Sequence, residues 1–208
     1  MVKFMRGVMA LVLLTTLSAC AVDAKLEPAP EPLGDFRFGY NVVITKNMQK
    51  GPFSRDASEE MIKTAIQEAM DARFKPFEGE KLYHIGLNVD AYALAGPGVP
   101  LLFKPRSVLA VSVSVFDDAS RSKLNADPKL ITAFEGISGE TLLIGSGLMR
   151  TKEKQLEILS VNLAAKVEDY LRENGTWFGM DPADIPAPSE DEGVAALQAP
   201  EETQPEGN

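Results

Sequence analysis

The chain reads as an α+β protein: a two-layer sandwich with one mainly antiparallel sheet of about 4–5 strands and two helices packed on one face. Two segments, around Met61 and around Leu163, repeat apolar residues at helical spacing, while several others alternate apolar and polar residues with a period of two. The order along the chain is strand, helix, three or four strands, helix. A single sheet that buries one face under both helices satisfies these patterns with the fewest layers.

Taken in order, Phe36, Phe38, Tyr40, Val42 and Ile44 alternate with Arg37, Gly39, Asn41 and Val43, which predicts a strand with those five residues on one face. Asp56 or Ser58 then offers an N-cap for a helix carrying Met61, Ile62, Ala65, Ile66, Ala69 and Met70. A second alternation places Tyr83, Ile85, Leu87, Val89 and Ala91 on one side of a strand, and Gly96-Pro97-Gly98 breaks it. The clearest strand runs from Val108 to Phe116, with Leu109, Val111, Val113 and Val115 facing one way and Ala110, Ser112 and Ser114 the other. A further strand or two is expected between Leu130 and Leu148. Thr151 caps the last helix, which carries Leu156, Leu159, Leu163, Val167 and Leu171 and stops at Asn174-Gly175. Trp177-Phe178 is expected to fold back onto the core.

Charge divides the chain of 208 residues into parts. Residues 181–208 hold eight acids and no Lys or Arg, and together with their Pro, Gln and Ala content they read as a disordered acidic tail. Residues 20–34 form a Pro-rich linker, in which Pro28, Pro30 and Pro32 favour an extended spacer. Residues 35–180 are the globular domain, with 19 acids against 18 cations. Nucleic acid is disfavoured as a partner by the overall charge of −9.

Residues 1–19 have the layout of a secretory signal peptide: Lys3 and Arg6, an apolar run from Gly7 to Leu14, then small residues. The run is too short to span a bilayer, which takes about 20 residues. It ends Leu17-Ser18-Ala19-Cys20, and Cys20 is the sole cysteine, so no internal disulfide can form. This tetrapeptide resembles the lipobox of bacterial lipoproteins. The resemblance implies a diacylglyceryl group on the Cys20 thiol, cleavage before Cys20 and acylation of the new amine, with palmitate among the acyl groups. It also implies export and anchoring in a membrane of the cell envelope. Ala21 and Val22 follow the cysteine where the family's inner-membrane proteins often carry an acid, which favours the outer membrane, facing the periplasm. The element order of residues 35–175 is similar to that of small periplasmic accessory lipoproteins of transport and assembly machines, and uncharacterised lipoprotein families fit it equally.

The search for chemistry yields little. His84, the sole histidine, falls on the polar side of its strand and reads as a surface or edge residue, so a zinc or copper site lacks its usual ligands and no metal or cofactor is expected. Asp117-Asp118 at a strand end reads as a solvated turn. Gly145-Ser146-Gly147 lacks the spacing of a hydrolase nucleophile elbow. Arg121, Lys123 and Lys129 gather loosely, as do Lys104 and Arg106, and are candidates for meeting lipid phosphates. Val99, Leu101, Leu102 and Phe103 lie in a Pro/Gly-rich connection and stand out as a candidate partner-contact loop. The sequence therefore favours a non-enzymatic accessory or binding subunit of an envelope assembly. The alternative is a carrier of an apolar ligand or lipid between helices and sheet, with a hydrolase as a remote third.

Overall fold

A computed structural model describes residues 30–96, 107–135 and 150–187. Cys20, the segment holding Val99, Leu101, Leu102 and Phe103, the Gly145-Ser146-Gly147 stretch and residues 188–208 lie outside the described residues. The elements are β1 (Phe36–Ile44), β2 (Gln49–Lys50), α1 (Glu59–Phe74), β3 (Lys81–Ala93), β4 (Val108–Asp117), β5 (Ser122–Lys123), β6 (Lys129–Phe134) and α2 (Lys152–Glu173). They form a six-stranded sheet in the order β1-β3-β4-β5, with β2 also on β3 and β6 also on β4.

The α+β two-layer sandwich is observed. Its sheet is mixed: β4 runs antiparallel to β3, β5 and β6, whereas β1 and β2 run parallel to β3. A parallel neighbour needs a crossover, and α1 lies in the one that joins β1 to β3.

Both helices begin as the capping residues dictate. Ser58 and Thr151 sit in extended backbone, and their hydroxyls accept the N–H of Met61 and of Lys154, each at 3.2 Å. Such a cap contributes about 1 kcal/mol. Ile62, Ile66, Met70 and Phe74 of α1 and Leu156, Leu159, Leu163, Val167 and Leu171 of α2 enter one core with Tyr83, Ile85, Leu87 and Val89 of β3 and Leu109, Val111, Val113 and Val115 of β4. Each such side chain contributes roughly 1.5–3 kcal/mol on burial. At one end the core is aromatic: Phe36 packs against Phe74, Phe77, Tyr83 and Phe178 with ring centroids 5.1–6.1 Å apart. Phe178 reaches it through the 3-10 turn Gly175–Phe178 after α2, so the expected fold-back of this segment occurs.

Between the helices, the carboxylate of Glu168 is buried and pairs with Arg73 of α1 and with Arg172, its own (i, i+4) neighbour. Arg172 also donates to the carbonyls of Glu31 and Pro32, Leu33 is 1% exposed, and the Asp35 N–H donates to the Phe178 carbonyl. The packed domain thus begins ahead of Asp35, inside the Pro-rich stretch read as linker. A lone leucine among prolines carries no periodicity that would betray its burial. At the other end of the domain, Asp181 caps the turn Pro182–Asp184, so ordered chain also continues past Met180.

Candidate functional site

The most distinctive surface arises from a break in the pattern of β1. Phe36 and Phe38 are in the core as expected, but Tyr40, Val42 and Ile44 are 56%, 47% and 50% exposed, and Val43 is buried in their place. The ladder to β3 shows why: Phe38 pairs with Tyr83 and Asn41 with Ile85, so Gly39 and Tyr40 together stand against His84. A bulge of one extra residue reverses the face of everything after it. β3 repeats the device between Val89 and Ala91, after which Tyr92 and Leu94, rather than Ala91, point into the core.

The consequence is apolar surface on the sheet face that carries no described helix. Val42 lies beside Gly86 and Ser114, and Ile44 beside Asn88 and Ser112, as successive rungs across β1, β3 and β4. At the next rung His84 faces Phe116, which is 38% exposed. Together with Pro128, and with Asp117, Asp118 and Arg121 at one end, these residues line a groove of about 800 Å³, within the range of small-molecule sites, about 300–1,000 Å³. Gly86 keeps the floor low, because a side chain there would press on the Phe116 ring.

His84 lies on the face expected for it, yet its side chain is only 14% exposed. The Tyr40 ring covers it, Nε2 is 3.0 Å from an Asp118 carboxylate oxygen, and Nδ1 is buried without a hydrogen-bond partner beneath Gly39. Among the described residues no serine is hydrogen-bonded to either ring nitrogen. Asp117 and Asp118 do not act as a pair: Asp117 accepts the Ala119 N–H and the Ser120 hydroxyl, which holds its carboxyl below the usual carboxylate range, and Asp118 takes His84. Asp90 accepts from Asn88 and Ser112, each at 2.7 Å. Among the described residues no group of three or more His, Cys, Asp or Glu is arranged to hold a metal ion.

The loosely grouped cations separate. Arg121 lines the groove with a left-handed backbone (φ 53°). Lys123 donates to the Ala126 carbonyl, and Lys129 lies 6.0 Å from the Tyr170 ring.

A second polar cluster ties together the bases of the two connections that follow β3 and β6. Glu135 is buried, accepts from the Ser107 hydroxyl at 2.8 Å and pairs with Arg150 at 2.6 Å. The Ala95 N–H donates to Ser107, Gln155 to the Ala95 carbonyl, and Arg55 to the Arg150 carbonyl. Phe53, near this end through the Ser54–Ala95 bridge, is 91% exposed with φ 58°. Neither feature has a signature in the sequence, since an isolated Phe and a distant Glu–Arg pair form no local pattern.

No protein-family model matches the chain, and no curated protein matches its sequence. Among solved structures it is similar to a lipoprotein candidate from Caulobacter crescentus, 14% identical over 68% of this chain and 93% of that one, with a TM-score of 0.35. A hypothetical protein from Chlamydia trachomatis is 12% identical over 66% and 97%, TM-score 0.33. The PelC dodecamer from Paraburkholderia phytofirmans is 10% identical over 65% and 92%, TM-score 0.28. Likenesses of this degree attach no activity, ligand or partner to the present chain.

Proposed function

We propose that this chain is an exported bacterial lipoprotein, held in the outer membrane by acyl groups on Cys20, whose domain serves in the periplasm as a non-enzymatic binding subunit of an envelope assembly. The anchor rests on the order Lys3/Arg6, apolar run, Leu17-Ser18-Ala19-Cys20. Among the described residues no helix is long and apolar enough to cross a membrane. Binding rests above all on the open-face groove, a concave and mainly apolar surface lined by Tyr40, Val42, Ile44 and Phe116.

The fold gives this arrangement a polarity. The chain enters at Pro30, beside the C-terminal end of α2, and residues 182–187 leave the same end. The connections after β3 and β6 start at the other end, where Glu135 and Arg150 meet beside the N-terminus of α2. The 22 residues of α2 separate the two ends by about 33 Å, at 1.5 Å per residue. The stretch from Cys20 to Pro30 adds at most about 36 Å. Val99, Leu101, Leu102 and Phe103 fall in the sequence between Ala95 and Ser107, which meet at that far end, and are proposed to touch the partner.

The anchor is tested by Cys20→Ala. It is expected to release the protein into the periplasmic soluble fraction or leave it unprocessed, with loss of metabolic labelling by an alkyne palmitate analogue. A variant that stays processed and membrane-bound would show the anchor reading to be wrong. A photocrosslinking residue at Leu101 that recovers no defined envelope protein would remove the partner role of that loop.

A further inference from the structure

The occupant of the open-face groove follows from its chemistry. Between helices and sheet, Phe36, Phe74, Phe77, Tyr83 and Phe178 pack against one another at the entry end and join the aliphatic side chains in one buried cluster. Outside, by contrast, Tyr40, Val42, Ile44 and Phe116 leave contiguous apolar surface in water, which ordinarily marks a binding site. Tyr40 to Ile44 spans about 13 Å along the strand, at about 3.3 Å per residue. The shape is that of a shallow channel.

The groove floor offers few hydrogen bonds to a peptide. β3 and β4 are paired on both sides, so the floor presents no free backbone edge. The polar side chains Asn88, Asp90 and Ser112 are satisfied by one another. The charged lining residues, Arg121, Asp117 and Asp118, gather at one end, and the Asp90 carboxylate at the other is taken up by Asn88 and Ser112. Among the described residues Arg121 makes no ion pair and the Asp117 carboxylate hydrogen-bonds only within its own turn. A guanidinium and carboxylates at the same end of an apolar groove complement a group that carries both signs, phosphate and ammonium. That charged end also adjoins the place where the chain enters: the Asp118 N–H donates to the Leu82 carbonyl, and Lys81 pairs with Asp35.

We propose that the groove binds a phospholipid with a zwitterionic headgroup, drawn from the membrane that anchors the protein. One acyl chain lies along Tyr40, Val42, Ile44 and Phe116, the phosphate on Arg121 and the ammonium at Asp117 and Asp118. This deepens the binding role proposed above by naming the ligand and its site, and it takes the source of the lipid from the anchor reading.

The test uses the full chain purified from membranes and reconstituted in vesicles of phosphatidylethanolamine and phosphatidylglycerol. These are doped with a phosphatidylethanolamine bearing a diazirine in one acyl chain. Illumination is expected to place adducts on peptides containing residues 40–44, 84–88 and 112–116. Val42→Asp or Ile44→Asp, each at a half-exposed position and checked for a native circular dichroism spectrum, is expected to lower the yield about tenfold, for which a loss of roughly 1.4 kcal/mol in binding suffices. Arg121→Glu should lower it severalfold and abolish competition by unlabelled phosphatidylethanolamine. Floating protein without adducts in these peptides overturns the proposal. So does a crosslinked dimer, which assigns the groove to a second copy, or an adduct pattern that appears only when Cys20→Ala removes the protein's own acyl groups, which assigns it to the anchor. Protein that fails to float refutes the anchor alone, and its adducts, measured in the supernatant, still decide the groove.

Discussion

The Tyr40 ring lies on the His84 imidazole, with centroids 3.9 Å apart and planes 25° from parallel, because the residue before Tyr40 is Gly39. A Cβ at position 39 would occupy the space of the imidazole. The bulge, the stack and the outward turn of Val42 and Ile44 therefore depend on one missing methyl group.

Gly39→Ala is accordingly expected to destabilise the domain by about 2 kcal/mol, the scale of overpacking at a tight contact. Adding His84→Ala should return part of that loss, because it removes the colliding ring. Urea denaturation of the single and double variants measures the coupling. Additive losses would mean that the ring is not what Gly39 accommodates.

Arg150→Ala should prove costly at the other end of the domain. Glu135 is 1% exposed at its side chain, and an unpaired buried carboxylate costs about 3 kcal/mol or more. Since Ser107 and Glu135 join the bases of two connections, proteolysis within 97–106 and 136–149 should quicken in the same variant. An unchanged urea midpoint would contradict this account.

The turn after β4 has a pH signature. The Ser120 hydroxyl, ahead of the backbone N–H groups of Ala119 and Ser120, lowers the Asp117 pKa below its ordinary 3.8. A carboxyl lowered in the folded state contributes stability that is fully present above its unfolded value and is lost as pH falls through the folded one. Ser120→Ala should move the Asp117 titration, followed by carboxyl-carbon NMR, up towards the ordinary value. It should also weaken the acid-side dependence of stability.

Phe53 combines a fully solvated ring with left-handed backbone. Phe53→Gly removes no buried surface and relieves a conformation that costs a side-chain-bearing residue about 1 kcal/mol. Thermal melts are expected to show a stability equal to or slightly above that of the unsubstituted chain. A clear loss would reveal that the ring packs on something.

The helices were legible because a 3.6-residue pattern with a capping hydroxyl at its head has few rival explanations, and Ser58 and Thr151 act as such patterns imply. β4 was legible because its alternation is unbroken from Leu109 to Val115. In β1 the same rule misassigned Tyr40, Val42 and Ile44: a bulge changes facing without changing composition, and those residues merely continue the parity of Phe36 and Phe38. In β3 the bulge at Asp90 did the same to Ala91 and Tyr92. The groove went unseen for that reason, since it consists of residues that a strict period of two assigns to the core. The parallel pairing of β1 with β3 is likewise a property of the crossover, not of either strand's own residues.

Leu33 gives the chain a mechanical property. Any pull transmitted along the residues ahead of Pro30 meets the Arg172 contacts with Glu31 and Pro32, then the Leu33 socket, and then β1. Because β1 runs alongside β3 from the same end, such a load shears their ladder lengthwise and engages its hydrogen bonds together, instead of peeling them one by one. Under the proposed tether, the domain is thereby gripped through its core and not by a loose end.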